Sequence, residues 1–260
     1  MAESGARRIG DITPEHLAAL NAGTAQARTL TEALAIDHPA LLRAAVPDAS
    51  PALRAAAAEA QQLGILKRMT AIGVAVHAHL SAAELARLAA HPSDTVRGWA
   101  SFAVGAQPLD HLAPHRATAQ LLTRIRPFAD DPHFTVREWA WMAVRAPLVA
   151  RLPEAVAGLT AWTGDPSPRI RRFASEALRP RGVWAAHIAA FKTVPELGEP
   201  LLEPLRADPD RSVQDSVANW INDAAKSQPD WARALTARWL EQSPGAATER
   251  IVRRGLRSLS

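Results

Sequence analysis

The chain has 260 residues, 48% hydrophobic and 22% charged, with 20 prolines, 13 glycines and no cysteine. This composition excludes disorder, a collagen-like chain and a disulfide-stapled miniprotein, and it removes thiolate nucleophiles and cysteine-bound zinc or iron–sulfur sites. The formal net charge is +4, and of the 30 basic residues only Lys67, Lys192 and Lys226 are lysine, leaving 27 arginines.

Arginine presents a planar fork of donors that matches phosphate, so the excess suits a polyanionic partner; a GC-rich coding sequence produces the same composition. The residues after Met1 form no apolar signal segment, and no apolar run reaches the ~18 residues of a membrane span. A soluble, cytoplasmic protein is expected.

In chain order, Glu15 to Ala22, Thr29 to Ala35, Pro51 to Leu63 and Ala82 to Ala90 look helical without repeating one another. They are expected to form an atypical N-terminal cap over residues 1–89 of a single domain spanning 1–260. From residue 90 the chain repeats itself. His91-Pro92-Ser93-Asp94-Thr95-Val96-Arg97-Gly98-Trp99-Ala100 returns as Asp131-Pro132-His133-Phe134-Thr135-Val136-Arg137-Glu138-Trp139-Ala140, again from Asp165-Pro166, and more loosely from Asp208-Pro209. The starts are 40, 34 and 43 residues apart, a period typical of helical-pair solenoids. Each Asp-Pro turn supplies a cap and a breaker. The positions that follow keep helical spacing, as in Val136, Ala140, Ala143 and Val144 or Ile170, Ala174, Ala177 and Leu178. Apolar stretches at Ala119 to Phe128, Leu152 to Trp162 and Leu197 to Leu205 provide the partner helices. The expected fold is therefore all-α, a HEAT-like repeat solenoid.

Arg97, Arg137 and Arg171 each lie six residues after their turn. Such arginines either bond to an Asp of the neighbouring repeat or meet phosphate, and Arg137 is kept as a DNA-binding candidate. Eleven residues after the turns stand Phe102, Met142, Glu176 and Asn219, so this column changes from apolar to polar within the stack. Arg172 and Arg179 flank Glu176 at about one helical turn, while Asp215, Asn219, Asp223 and Lys226 share one helix face. A solvated face with local ion pairs has the same spacing.

Three segments carry more than a generic repeat: Val136-Arg137-Glu138-Trp139-Ala140-Trp141-Met142, Arg171 to Trp184, and Asp215 to Lys226. In order and spacing they resemble the bacterial DNA alkylation repair enzymes, HEAT-like repeat DNA glycosylases of the AlkC and AlkD type, with the AlkC branch nearer. The resemblance implies hydrolysis of the N-glycosidic bond of an N-alkylated base in double-stranded DNA, bound on a concave surface without drawing the damaged nucleotide into a pocket. It also implies a monomer acting in base excision repair without a cofactor. Some AlkC relatives carry an added β-sandwich domain, which is not expected here.

An N3- or N7-alkylated purine is already cationic and leaves without a general acid, so the task is to stabilise an oxocarbenium-like sugar and to place a water. Glu176 and Asp223 are the carboxylates assigned to it. Glu138, beside Trp139 and Trp141, contacts the lesion strand or supports the site; pairing with Arg137 or Arg145 is the alternative. Trp99, Trp139 and Trp220 fall in core columns, whereas Trp141 and Trp184 are candidates to lie against a sugar or cationic base. Arg179-Pro180-Arg181-Gly182 reads as a hook for backbone phosphates, with Arg172, Asn219 and Lys226 as further DNA contacts. The basic tail Arg250, Arg253, Arg254 and Arg257 either binds phosphate or caps the last repeat. His77-Ala78-His79 and the His111/His115 pair lack a third ligand, so no metal is expected. A non-catalytic scaffold binding DNA or a protein is the rival reading.

Overall fold

The computed structural model describes residues 5–182 and 185–259. Among them there is no strand, and the α-helices run α1 (Pro14–Asn21), α2 (Leu30–Ala35), α3 (His38–Ala45), α4 (Pro51–Ala60), α5 (Ile65–His79), α6 (Ala82–Ala89), α7 (Asp94–Gly105) and α8 (Pro114–Ala129). They continue with α9 (Phe134–Val149), α10 (Leu152–Thr160), α11 (Pro168–Glu176), α12 (Ala189–Thr193), α13 (Glu199–Leu202), α14 (Arg211–Ala225), α15 (Pro229–Gln242) and α16 (Ala246–Gly255). The chain forms two compact units, one of residues up to Leu109 with Asp131–Val144, the other of Asp110–Asp130 with Arg145–Ser260.

In the first unit the core is built on α5 and α7, with Met69, Ile72, Val76, Val96 and Trp99 buried. Gly73 permits their close approach, since a Cβ there would lie 2.3 Å from the Cβ of Phe102. Neither α5 nor α3 was among the expected helices. In α5 the apolar and small residues run most of the way round, which blurs the polar stripe that marks a surface helix.

In the second unit α14 is central, packing on α11, α15 and α16. Its Val213, Val217, Ala218, Trp220, Ile221 and Ala224 are all fully buried. Trp220 donates its indole N–H to the Leu178 carbonyl at 3.0 Å, tying α14 to the turn after α11.

The repeat turns work differently from a simple Asp cap. Asp131, Asp165 and Asp208 each accept the backbone N–H two residues later, at 2.7, 2.9 and 2.8 Å, forming Asx-turns. The helix N-cap is a later residue: Ser93 before α7, Ser167 before α11 and Asp210 before α14. That leaves the Asp carboxylate available to the preceding repeat. Arg97 takes Asp131 in a fork, Nε at 2.8 and Nη2 at 3.1 Å, and Arg171 takes Asp208 at 2.7 and 3.1 Å. Arg97, Arg137 and Arg171 also each donate Nη1 to the two carbonyls of their own turn. The inter-repeat role is thus present for Arg97 and Arg171. Arg137 shares the turn-clamping half of it, so at least one of its donors is committed to backbone rather than presented to a phosphate.

Candidate active site

Glu176 is the last residue of α11, and Pro180 prevents the helix from continuing. The chain then reverses, and the reversal is held by a buried arginine from α9. Arg145 donates to the carbonyls of Ala177 at 2.9 Å, Arg179 at 2.6 Å and Ala186 at 3.1 Å, which satisfies backbone acceptors that a helix end leaves without partners. Its guanidinium is crowded: burial first, then the nearby Arg179 charge, lower its pKa to about 10 against the pull of Glu176 and Asp223.

The reversal carries Arg179 back between two carboxylates. Its Nη1 lies 2.9 Å from Glu176 Oε1, and its Nε and Nη2 lie 3.0 and 2.8 Å from Asp223 Oδ2. Both acids are 4% exposed. The second Glu176 oxygen accepts the Ser216 hydroxyl at 2.7 Å, and Ser216 in turn accepts from Ser175 at 2.8 Å. Arg172 stands 3.7 Å from Glu176 Oε2, and Lys226 stands 3.8 Å from Asp223 Oδ1.

The two acids respond to burial in opposite ways. For Glu176 desolvation pushes the pKa up, but Arg172, Arg179 and the Ser216 hydroxyl together outweigh it and hold the group below the usual carboxylate range. For Asp223 desolvation prevails: Arg179 and Lys226 only partly oppose it, the Glu176 charge adds to it, and the pKa is raised. Arg179 itself is raised, because its two carboxylates overcome its own burial.

Of the residues singled out from sequence, Glu176, Asp223, Arg172, Arg179, Arg181 and Lys226 come together here. Arg179 is not an open phosphate hook: its side chain is 11% exposed and is engaged by both acids. Arg181 is engaged as well, through the Asp223 carbonyl at 3.1 Å and the Ser227 hydroxyl at 2.7 Å. Asn219, one turn before Asp223, accepts from Arg257 at 2.9 Å. In the first unit, Glu138 accepts the Trp141 indole N–H at 2.8 Å. Trp141 is 2% exposed, so its ring has no open face for a base. Trp184 lies outside the described residues.

Two contributors went unmarked in the sequence. Arg145 occupies the same repeat position as Arg179, fourteen residues after the turn, and the sequence offers it only as a partner for Glu138. Ser216 stands where the earlier repeats have Trp99, Trp139 and Phe173; that exchange of an aromatic for a hydroxyl was the available signal. Among the described residues no group of three or more acids or histidines is placed to hold a metal ion, and no helix is long and apolar enough to cross a membrane.

No family model matches the chain. The uncharacterised protein YhaZ of Bacillus subtilis is 35% identical over 126 residues, a stretch that makes up 48% of this chain and 35% of that protein. Among solved structures, the Pseudomonas fluorescens alkylpurine DNA glycosylase AlkC, bound to DNA containing an abasic site analogue, superposes with a TM-score of 0.63 at 22% identity. That match takes in 98% of this chain and 65% of the AlkC chain. The chain therefore has the all-α, HEAT-like fold seen in AlkC.

Proposed function

We propose that this chain is an alkylbase DNA glycosylase, hydrolysing the N-glycosidic bond of a cationic N-alkylated base in duplex DNA. The observation that carries the reading is the pair of buried carboxylates, Glu176 and Asp223, held on either side of Arg179 in a fold shared with an alkylpurine glycosylase. The lesion needs no proton to depart. As C1′–N breaks, the bonding pair moves to the base, which leaves neutral, and the sugar acquires the positive charge. Glu176, kept ionised by its arginines, opposes that charge. Asp223, whose pKa burial raises, accepts a proton from the water that adds to C1′ and passes it to solvent. The products are free base and an abasic site, with the DNA strand intact.

Arg172, Arg181, Asn219 and Lys226 border these acids and are assigned to the DNA strand. Glu138, with its indole anchor Trp141, is a separate candidate, read in the same assay through Glu138→Gln. The assay is single-turnover base release from a duplex carrying one defined methylated base. Release of 3-methyladenine with no release of uracil or hypoxanthine is the expected result. Efficient uracil excision would show that the protein protonates a neutral leaving group, and it would overturn the mechanism. No release of any alkylated base would favour a non-catalytic scaffold.

A further inference from the structure

The backbone that carries Arg179 is fixed largely by one side chain from another helix. In the reversal after α11, the Leu178 carbonyl is taken by the Trp220 indole at 3.0 Å and the Pro180 carbonyl by the Ile188 backbone N–H at 3.0 Å. Arg145, on α9, takes three more. Its Nη1 donates to Ala177 at 2.9 Å, and its Nη2 donates to Arg179 at 2.6 Å and to Ala186 at 3.1 Å. The end of α11, the middle of the reversal and its returning limb thus meet at one planar group. A lysine, with a single nitrogen at the end of its chain, cannot reproduce that fork.

The fit extends to a glycine. A Cβ on Gly182 would stand 3.3 Å from Arg145 Cζ and 3.5 Å from its Nε, so a side chain at this position would press on the guanidinium. Arg179 is held at both ends: its carbonyl by Arg145, and its guanidinium by Glu176 at 2.9 Å and Asp223 at 2.8 and 3.0 Å. The two acids stand on different helices, α11 and α14, and Arg179 bridges them. Where the Arg179 backbone sits therefore decides where its fork meets each carboxylate. Arg145 is itself buried, and its hydrogen bonds go to carbonyls rather than to either acid.

We infer that Arg145 is a positioning residue of the candidate site: with Gly182 leaving room for its guanidinium, it fixes the backbone of Arg179 and through it the placement of Glu176 and Asp223. The effect on base release rests on the proposed function; the geometric half of the inference does not. A displacement of about 1 Å at a reacting centre costs up to about 10²-fold in rate, so a residue that touches no substrate atom can still govern the chemistry.

The test uses the arginine Nε–H signals in a nitrogen-15 NMR spectrum, with the Arg179 signal assigned by its loss in Arg179→Lys. Arg97 and Arg171, whose Nε–H groups meet Asp131 at 2.8 Å and Asp208 at 2.7 Å, serve as internal controls. Solvent exchange of the Arg179 Nε–H is expected to accelerate about tenfold in Arg145→Lys and about threefold in Gly182→Ala, with both controls unchanged. Gly182→Ala keeps every hydrogen-bonding group and serves if Arg145→Lys does not fold. In the same variants the maximal single-turnover rate of base release should fall by about tenfold or more for Arg145→Lys, while the half-saturating protein concentration stays within about threefold. Unchanged exchange at Arg179, or equal acceleration at all three arginines, would overturn the inference, the second because it reports general loss of stability. An altered Arg179 signal with an unchanged maximal rate would overturn it too. A wild-type protein that releases no base loses the catalytic reading, and the exchange measurement then decides by itself whether Arg145 places Arg179.

Discussion

Ser216 donates its hydroxyl to Glu176 Oε2 at 2.7 Å from the repeat position that holds Trp99, Trp139 and Phe173 in the preceding copies. The missing ring leaves room for a carboxylate in the interior, and the hydroxyl supplies a hydrogen bond that a buried anion requires. The indole returns one helical turn later as Trp220, so the core is filled again beside the opened site. Removing the hydroxyl as Ser216→Ala should destabilise the fold by about 1–3 kcal/mol, the usual cost of leaving a buried acceptor unpaired. It should also raise the Glu176 pKa, since that hydrogen bond favours the charged form. Ser216→Thr, which keeps the donor, should restore most of both. A melting curve and the pH profile of base release, with Ala and Thr behaving alike, would exclude this role.

The two acids can be tested directly. Glu176→Gln and Asp223→Asn keep shape and remove charge, so each is expected to slow single-turnover base release by roughly 10²-fold while leaving DNA affinity within a few-fold. Activity within threefold of wild type in both variants would remove them from the chemistry.

Asp223 also predicts a pH dependence. Its pKa is raised and it is proposed to work as the ionised base, so release should increase with pH along a limb whose midpoint lies above the ordinary aspartate value of about 3.9. Lys226 opposes that rise. Lys226→Met should therefore move the limb to higher pH, and a limb that stays in place would detach Asp223 from the rate.

Arg179 is expected to matter for the fold more than for the grip on DNA. Arg179→Met would leave Glu176 and Asp223 buried together without their shared cation, a loss of about 3–5 kcal/mol. Because the guanidinium is enclosed by those acids, the salt dependence of duplex binding should change little when the variant is measured below its melting temperature. A slope flattened by a full unit would restore the phosphate-hook reading.

The contrast between Arg97 and Arg179 shows what was legible before the structure. The Asp-Pro turns recur at a nearly fixed offset from their arginines, so periodicity offered the pairing of Arg97 with Asp131 and of Arg171 with Asp208 as one of two roles for that column. Helical spacing likewise brought Arg172 and Arg179 to Glu176. It did not show where the chain goes after Pro180. Only the reversal held by Arg145 returns Arg179 to Asp223, and such a turn has no sequence period. Trp141 failed for a related reason: its spacing marks one helix face, whereas its burial depends on what is packed against that face.

A last prediction concerns the first unit, where His38 is fully buried with Nδ1 accepting the Trp99 indole N–H at 3.1 Å. Burial, with the Arg68 charge adding to it, lowers the His38 pKa to about 3. An unfolded chain protonates this histidine near 6.5. Between those values the unfolded state binds a proton that the folded state refuses, so stability is complete above pH 6.5 and falls as the medium becomes more acidic. The slope is about 1.4 kcal/mol per pH unit, or roughly 2 kcal/mol by pH 5. His38→Gln can still accept from Trp99 but has no proton to take up. Its melting temperature should be lower than wild type at pH 8, where the imidazole packs better, yet it should decline less between pH 8 and pH 5. Comparing the two declines cancels the other titrating groups, and equal declines would show that His38 is protonated within the folded protein.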